Sequence, residues 1–193
     1  GGTQGIVFPI CSGLSRESIA TGGFVIGAIR AHIDRHAVAG GGKPMCNLYN
    51  LTTNQQAIRD IAGAMSDSVG NLEPSLDIYP DRPAPVLRNT GSGRELARLT
   101  WGMPTPTQFL KAPDAPDSGV TNIRNTASPH WRRWLGVAHR CVVPATAFSE
   151  YGQRPDPVTR RKPLHWFALD QTRPLFFFAG ICTPWRGIRG SAR

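Results

Sequence analysis

The stretch RCVVPATAFSEY, Arg140–Tyr151, decides the fold. It begins with small and β-branched apolar residues, and a lone carboxylate, Glu150, follows them. Such a run predicts a strand over residues 140–143 that ends at Pro144. Two later apolar runs, residues 164–169 and 175–181, predict further strands. The last third of the chain is therefore predicted to be mostly sheet.

Upstream of these strands the sequence predicts one clear helix. Thr52 or Thr53 can cap a helix that runs from Gln55 to about Met65. Its apolar residues fall on one face: Ile58, Ile61 and Ala62.

Further elements follow from alternation and from Pro content. Residues 75–88 are Pro-punctuated and extended, residues 94–101 alternate like a strand, and residues 104–119 form a Pro/Asp/Gly loop. The predicted core positions are Leu96, Leu99 and Trp101 on the strand, and Trp131 and Trp134 on a short helix. Short strands with few helices favour an α+β domain built around a curved, partly barrel-like β-sheet.

Composition excludes several classes of protein. The chain has 193 residues and is 40% hydrophobic, which suits one domain with a real core and excludes wholesale disorder. Its longest apolar run, residues 175–180, is too short to span a bilayer, which excludes an integral membrane protein. The four Cys residues form no CxxC pair and no zinc-ligand spacing, so we expect no metal, and free thiols in a reducing cytoplasm. Cys182 fits a small core hydrophobe.

The positive charge is concentrated near the end of the chain. Residues 121–193 carry 12 Lys and Arg against 3 Asp and Glu, which accounts for the whole net charge of +9. Clusters at Arg132-Arg133 and Arg160-Arg161-Lys162 would attract a polyanion, most commonly nucleic acid. Alternatively, the excess is a solvated surface with no ligand.

Residues 1–44 differ in character from the rest. They hold 10 of the 21 glycines and one convincing apolar stretch, residues 22–29. We expect a domain over residues 45–193 that is incomplete at its C-terminus, preceded by upstream sequence read through ahead of a start at Met45. Alternatively, residues 1–44 are a flexible extension of the natural protein.

Cys46 directly follows Met45, and Met is removed when the next residue is small. A terminal Cys46 would present a free α-amine beside a thiol. The amine can condense with an aldehyde, and the thiolate can then close a thiazolidine ring. An internal Cys cannot react in this way because its nitrogen is an amide.

Two other groups of residues can carry chemistry. In the segment Thr121–Asn125, Asn122 can hold a ligand oxygen or a reacting nitrogen, and Arg124 can bind a phosphate; alternatively, the segment is an ordinary turn. Glu150, partly desolvated near a strand end, can act as general acid and base. Alternatively, it forms a salt bridge with a neighbouring Arg.

In this order the motifs resemble the SOS-response-associated peptidase (SRAP) family, whose members shield abasic sites in single-stranded DNA. The matching positions are Met45-Cys46 with Tyr49, the region of Pro80, Trp101-Gly102, Asn122-x-Arg124, Arg140–Pro144 with Glu150, and Lys162-Pro163. The chain departs from the family in Asn47-Leu48 after the Cys, in Tyr151 where Trp is more usual, and in lacking the late His-x-Arg-Met-Pro motif.

The resemblance implies a covalent DNA–protein crosslink. Cys46 would form a thiazolidine with the ring-opened abasic aldehyde, Asn122 would position the amine and sugar, and Glu150 would transfer protons. The implied DNA contacts are Arg124 to phosphate, Trp101 and Pro80 to unstacked bases, and Lys162. The family label also implies protease, hydrolase or lyase activity in the SOS response to DNA damage.

The resemblance further implies no organic cofactor or metal. The partner would be single-stranded DNA containing abasic sites, and the protein a cytoplasmic, nucleoid-associated monomer with no membrane contact. Two rival functions stay open: a module that binds single-stranded nucleic acid without chemistry, and a thiol peptidase that uses Cys46 as its nucleophile.

Overall fold

The computed structural model describes residues 4–10, 48–64, 66–112, 115–123 and 125–190. These ranges contain ten strands and two α-helices, with single 3₁₀ turns at Thr107–Phe109 and Val137–His139. In chain order the elements are β1 (Gln4–Ile10), β2 (Leu48–Leu51), α1 (Gln55–Ala62), β3 (Ser66–Asp67), β4 (Ser75–Ile78), β5 (Pro83–Thr90), β6 (Gly93–Trp101), α2 (Pro129–Arg132), β7 (Arg140–Ala145), β8 (Ala147–Tyr151), β9 (Leu164–Phe167) and β10 (Phe176–Trp185).

The strands form two sheets. The larger has six strands in the order β1-β10-β7-β5-β6-β3, and the smaller has four in the order β4-β2-β8-β9. One apolar core contains residues from both sheets, including Tyr49 and Leu51 from the smaller and Val86 and Phe178 from the larger. The predicted α+β fold with a curved sheet is confirmed, and its strands divide into two sheets that are not closed into a barrel.

The six-stranded sheet is strongly curved. All seven residues of β1 pair antiparallel with β10, and two of them also meet β6 in parallel. The curvature therefore brings β1, at one edge of the sheet, next to β6, near the opposite edge. β1 lies within residues 1–44. The assignment of that segment as non-native or flexible sequence ahead of the domain stays a prediction, and its apolar stretch, residues 22–29, lies outside the described residues.

Helix α1 is shorter than its sequence pattern predicts. Asn54, rather than Thr52 or Thr53, caps it, because the Asn54 Oδ1 atom accepts a 2.8 Å hydrogen bond from the Ala57 amide. Gly63 ends it in the left-handed conformation, with φ of 60°. Ile61, within the last turn of the helix, is exposed, against expectation. The other two residues predicted for the apolar face, Ile58 and Ala62, are buried.

Trp101 lies at the end of β6 and joins the two sheets. Its ring is only 1% exposed and packs edge-on against Tyr49 of β2, with ring centroids 5.5 Å apart. Its Nε1 atom donates a 3.1 Å hydrogen bond to the Thr121 carbonyl oxygen. A ring with this burial has no face open to a nucleobase, so the structure gives Trp101 a core position instead of the exposed position expected for base stacking.

A buried arginine holds the loop that follows β6. The Arg189 guanidinium forms an ion pair with Asp81 at 3.4 Å and donates a hydrogen bond to the Gly102 carbonyl oxygen. It also lies so close to Gly119 that a Cβ atom there would stand 2.3 Å from Arg189 Nη1, and Gly119 has φ of 76°. Only glycine satisfies both conditions at this position.

Asp117 is the second anchor of this loop, and 3% of it is exposed. Its carboxylate accepts hydrogen bonds from the Thr105 amide at 2.9 Å, the Thr105 hydroxyl at 2.5 Å and the Gly119 amide at 2.7 Å. Burial raises the pKa of the Asp117 carboxyl, but these hydrogen bonds and the charge of Arg189 outweigh it and hold the pKa below its usual value. The loop of residues 104–119 is thus fixed at both anchors.

We expect Trp101→Ala to lower the free energy of unfolding by about 3–5 kcal/mol, because it removes a buried indole and leaves a cavity. Urea denaturation followed by circular dichroism measures this. Phe109→Ala, which removes an exposed ring, is the control and should change stability by less than about 0.5 kcal/mol. A Trp101→Ala value as small as the control value would show that the ring is not part of the core.

We expect Asp117→Asn to make stability less sensitive to acid. Because the folded pKa of Asp117 lies below the unfolded pKa of about 3.9, its contribution is full above the unfolded pKa and is lost as the pH falls through the folded pKa. The variant should be about 1–3 kcal/mol less stable than the parent at pH 7. Urea denaturation should show this gap narrowing at pH values well below about 4.

The exposed Asp77 of β4 supplies the matched control. Asp77→Asn should leave both the stability at pH 7 and its acid dependence close to those of the parent. A gap between Asp117→Asn and the parent that stays constant with pH would contradict the role given to the Asp117 carboxylate.

Candidate functional site

The candidate site is built on the smaller sheet, around Glu150 of β8. β8 lies between β2 and β9, with Leu48 opposite Ser149 and Glu150 opposite His165. Glu150 is buried, with 8% of the residue exposed. Leu48, the first residue of β2, therefore lies opposite Ser149, which directly precedes the predicted acid–base group Glu150.

Local sequence explains how Glu150 reaches this position. β7 belongs to the larger sheet and β8 to the smaller, and only Thr146 separates them. The Thr146 amide and hydroxyl both hydrogen-bond to the Asn50 carbonyl oxygen, at 2.8 and 3.2 Å. This corner carries the chain from one sheet into the other, four residues before Glu150.

Asn122 lies on the segment that follows the Asp117 loop, and it too is 8% exposed. Its Nδ2 atom donates a 3.2 Å hydrogen bond to the Thr121 hydroxyl. Because the Thr121 carbonyl accepts the Trp101 indole N–H, the core tryptophan positions the residue directly before Asn122. Contacts thus run from β8 through Tyr49 and Trp101 to the Asn122 segment.

The other predicted site residues are placed less centrally. Pro80 is half-buried in the turn between β4 and β5, next to the exposed ring of Tyr79. Lys162 is exposed in the connection between β8 and β9. Cys46 and Arg124 lie outside the described residues, so their predicted roles stay predictions.

His165 is the site residue that sequence reasoning missed. It stands directly opposite Glu150 in an antiparallel pair, which places both side chains on one face of the sheet. The sequence predicted a strand over residues 164–169 but no strand at β8, so it could not give the register that pairs them. The only available signal was the short apolar alternation after Thr146.

Two other histidines and two thiols of the described residues have structural positions. His130 hydrogen-bonds to the Pro104 carbonyl, and His139 to the Cys182 carbonyl, both at 3.0 Å. Cys141 and Cys182 are both buried, as predicted for Cys182. Burial raises the pKa of the Cys141 thiol, whereas a hydrogen bond from Cys141 lowers the pKa of Cys182.

Two further findings concern ligands and membranes. Among the residues described, no three His, Cys, Asp or Glu side chains come together as a metal ion would require. Neither α1 nor α2, the helices of the described ranges, is long and apolar enough to cross a bilayer.

Comparison with known proteins identifies the family of this chain. The family model for SOS response associated peptidase (SRAP) matches residues 45–192. Abasic site processing protein YobE of Bacillus subtilis (strain 168) is 30% identical over 129 residues, covering 63% of this chain and 53% of YobE. Abasic site processing protein YoqW of Bacillus phage SPbeta is 29% identical over 124 residues, covering 63% of this chain and 52% of YoqW.

A third relative, Abasic site processing protein YoaM of Bacillus subtilis (strain 168), is 30% identical over 128 residues, 63% of this chain and 51% of YoaM. The chain therefore spans about half the length of the curated relatives it matches. Because the family model covers most of the 193 residues, the chain belongs to the SOS response associated peptidase (SRAP) family.

Proposed function

We propose that the protein processes abasic sites in single-stranded DNA, and that Cys46, freed at a chain terminus, captures the ring-opened sugar as a thiazolidine. The observation that carries this proposal is the pairing of β2 with β8 beside Glu150. Cys46 precedes Leu48 by two residues, and two residues span at most about 7 Å. The relatives named abasic site processing proteins support the same substrate.

The proposed reaction has two steps. The Cys46 α-amine, whose pKa in an ordinary chain terminus is about 8, attacks the C1 aldehyde of the open deoxyribose and releases one water to give an imine. The Cys46 thiolate then adds to the imine carbon, and the imine nitrogen takes up a proton as the five-membered ring closes. No bond in the DNA backbone breaks, and nothing is oxidised or reduced.

The predicted site residues have defined parts in this scheme. Glu150 donates a proton to the leaving hydroxyl and takes one from the attacking nitrogen, as a partly buried carboxyl group can. Asn122 offers an amide donor and acceptor to the sugar and amine, and Arg124 binds a phosphate. Trp101 acts indirectly, because its indole N–H holds the segment that carries Asn122.

The DNA contacts proposed for Pro80 and Lys162 depend on their surroundings. The half-buried Pro80 adjoins the exposed Tyr79 ring, so this turn offers apolar surface to a base. Lys162 offers a charge to the backbone. Action as a monomer at the nucleoid in the cytoplasm stays a prediction.

A second candidate function is binding of single-stranded nucleic acid without chemistry. The 12 cationic residues against 3 acidic ones in residues 121–193 favour it. A thiol peptidase, as the family description suggests, is a third candidate, and it would need the Cys46 thiol without a free α-amine. Covalent capture requires a terminal Cys46 amine and thiol, the peptidase requires only the thiol, and simple binding requires neither.

We expect crosslinking only when Cys46 is terminal. A recognition sequence for a site-specific protease, inserted directly before Cys46, would free its amine while residues 4–10 stay paired with β10. After incubation with an abasic oligonucleotide, the denatured cut protein should gain the mass of the oligonucleotide less one water. Intact mass spectrometry detects the adduct.

The uncut chain and the cut Cys46→Ser chain are the matched controls, and neither should form the adduct. An adduct of the uncut chain whose mass lacks residues 1–45 would show that the protein removes this segment itself. A cut chain that binds the oligonucleotide but forms no adduct would sink the covalent proposal in favour of simple binding. Cleavage of a peptide by the uncut chain would favour the peptidase.

We expect Glu150→Gln to slow crosslinking of the cut chain by about 10²- to 10⁴-fold, because the amide keeps the shape of Glu150 but cannot transfer a proton. Quenched time courses analysed on denaturing gels give the rate. Binding of an oligonucleotide without abasic sites should be unchanged. Glu73→Gln, at an exposed acid away from β8, is the control, and an equal rate for both variants would remove Glu150 from the mechanism.

A further inference from the structure

The β8–β9 hairpin presents an apolar strip to solvent. Tyr151 is 56% exposed, and Leu164 and Trp166 are each 41% exposed. Tyr151 pairs directly with Leu164, and Trp166 follows Leu164 by two residues, so all three side chains lie on one face of the hairpin. Contiguous exposed apolar side chains with two aromatic rings indicate a binding surface.

The connection between β8 and β9 is ordered by its own hydrogen bonds. The Asp156 carboxylate accepts from the Val158 and Thr159 amides at 3.0 and 2.7 Å, and the Asp156 amide donates to the Arg161 carbonyl at 2.8 Å. The hydrogen bond from the Thr159 amide lowers the pKa of the Asp156 carboxyl. The one carboxylate of this connection is thus engaged within the loop.

Gly152 fixes the base of the connection. Its amide donates a 2.7 Å hydrogen bond to the Pro163 carbonyl. A Cβ atom at Gly152 would stand 2.9 Å from Pro163 Cγ and 3.0 Å from His165 Nε2, so a side chain there would push these two rings aside. The strip and the connection are therefore held in a defined relation.

The connection carries four cations against a single acid. All four are exposed: Arg154, Arg160, Arg161 and Lys162. Among the described residues, none of them has a carboxylate within 4.0 Å. Lys162 precedes Trp166 by four residues, which is about 13 Å along an extended strand.

We propose that the β8–β9 hairpin is a binding arm for single-stranded nucleic acid, in which Trp166 stacks on an unpaired base and the cations of the connection bind phosphates. The inference rests on the proposed function, since Tyr151 directly follows Glu150 and the arm would hold the strand that leaves the reactive site. It adds Trp166, Arg160 and Arg161 to the residues that contact DNA.

The chemistry of the arm favours this partner over others. Stacking needs the open face of a base, which a duplex hides, and a cationic groove with aromatic platforms is how single strands are held without sequence preference. The cores of protein interfaces, by contrast, are depleted in charged residues, whereas four cations against one acid match a polyanion. Charge complementarity therefore favours a nucleic-acid strand, with its phosphate backbone, as the partner of the arm.

The test uses the full chain and a fluorescein-labelled oligothymidine without abasic sites, with Kd measured by fluorescence anisotropy between 50 and 200 mM salt. Trp166→Ala should weaken binding by roughly 5- to 150-fold. It should leave the slope of log Kd against log salt unchanged. Trp166→Phe, which keeps a ring for stacking, should recover most of the affinity.

The charge variants should behave differently. Arg161→Ala should weaken binding and reduce the salt slope by about 0.7, the value of one phosphate contact to a single strand. Phe109→Ala and Arg186→Ala remove an exposed ring and an exposed cation away from the arm, and both should bind within about twofold of the parent. Thermal melts confirm that each variant is folded.

The outcomes separate this inference from the proposed function. If Trp166→Ala binds like Phe109→Ala, or if Trp166→Ala weakens binding to a blunt duplex equally, the arm is overturned even where crosslinking at Cys46 occurs. If Trp166→Ala and Arg161→Ala act as expected and no crosslink forms, the arm stands and the covalent proposal falls. A parent chain that does not bind the oligonucleotide overturns the arm, and the crosslinking experiment then decides the covalent proposal on its own.

Discussion

The corner at Thr146 is the constraint on which the rest of the structure depends. It is fully buried, and it is the single residue between a strand of the larger sheet and a strand of the smaller one. Its amide and hydroxyl both bind the Asn50 carbonyl, and the hydroxyl also accepts the Thr52 amide at 3.2 Å. Buried backbone groups need such partners, because each unpaired one costs about 1–3 kcal/mol. The corner therefore fixes β2 against β8 and aligns their register.

The aromatic contact between Tyr49 and Trp101 carries this order across to the larger sheet. Tyr49 also packs edge-on against Phe178 of β10, so one side chain of β2 contacts two strands of the opposite sheet. Trp101 then fixes the Thr121 carbonyl, while Arg189 and Asp117 fix the loop that leads there. The geometry of the candidate site thus depends on core packing and on the ionic cluster of Asp81, Asp117 and Arg189. The Trp101 indole contributes through its N–H group and not through the face of its ring.

Local patterns were enough to predict several of the elements but not the strands with which they pair. Alternation predicted β6, and its three core residues are buried, as are Trp131 and Trp134 near α2. β8 escaped prediction because it is short, with five residues, and because Pro144 suggested an earlier strand end. Residues distant in sequence determine the strand register, the pairing of Glu150 with His165 and the cluster around Arg189. No short window of the sequence contains that information. The same limit applies to β1, whose partner β10 lies more than 160 residues later.

Alternation along β8 explains how one strand can serve both chemistry and binding. Phe148 and Glu150 share the face that meets the core, where Phe148 packs against Phe178 at 5.5 Å, whereas Tyr151 belongs to the opposite face with Trp166. A slip of one residue would exchange these faces and bury the wrong set. Both ends of the strand oppose such a slip: the Thr146 corner at one end, and the Gly152 hydrogen bond to Pro163 at the other. The two surfaces are formed by alternate residues of one β-strand whose register is fixed. β8 would therefore set both the position of a captured sugar and the path of the DNA that carries it.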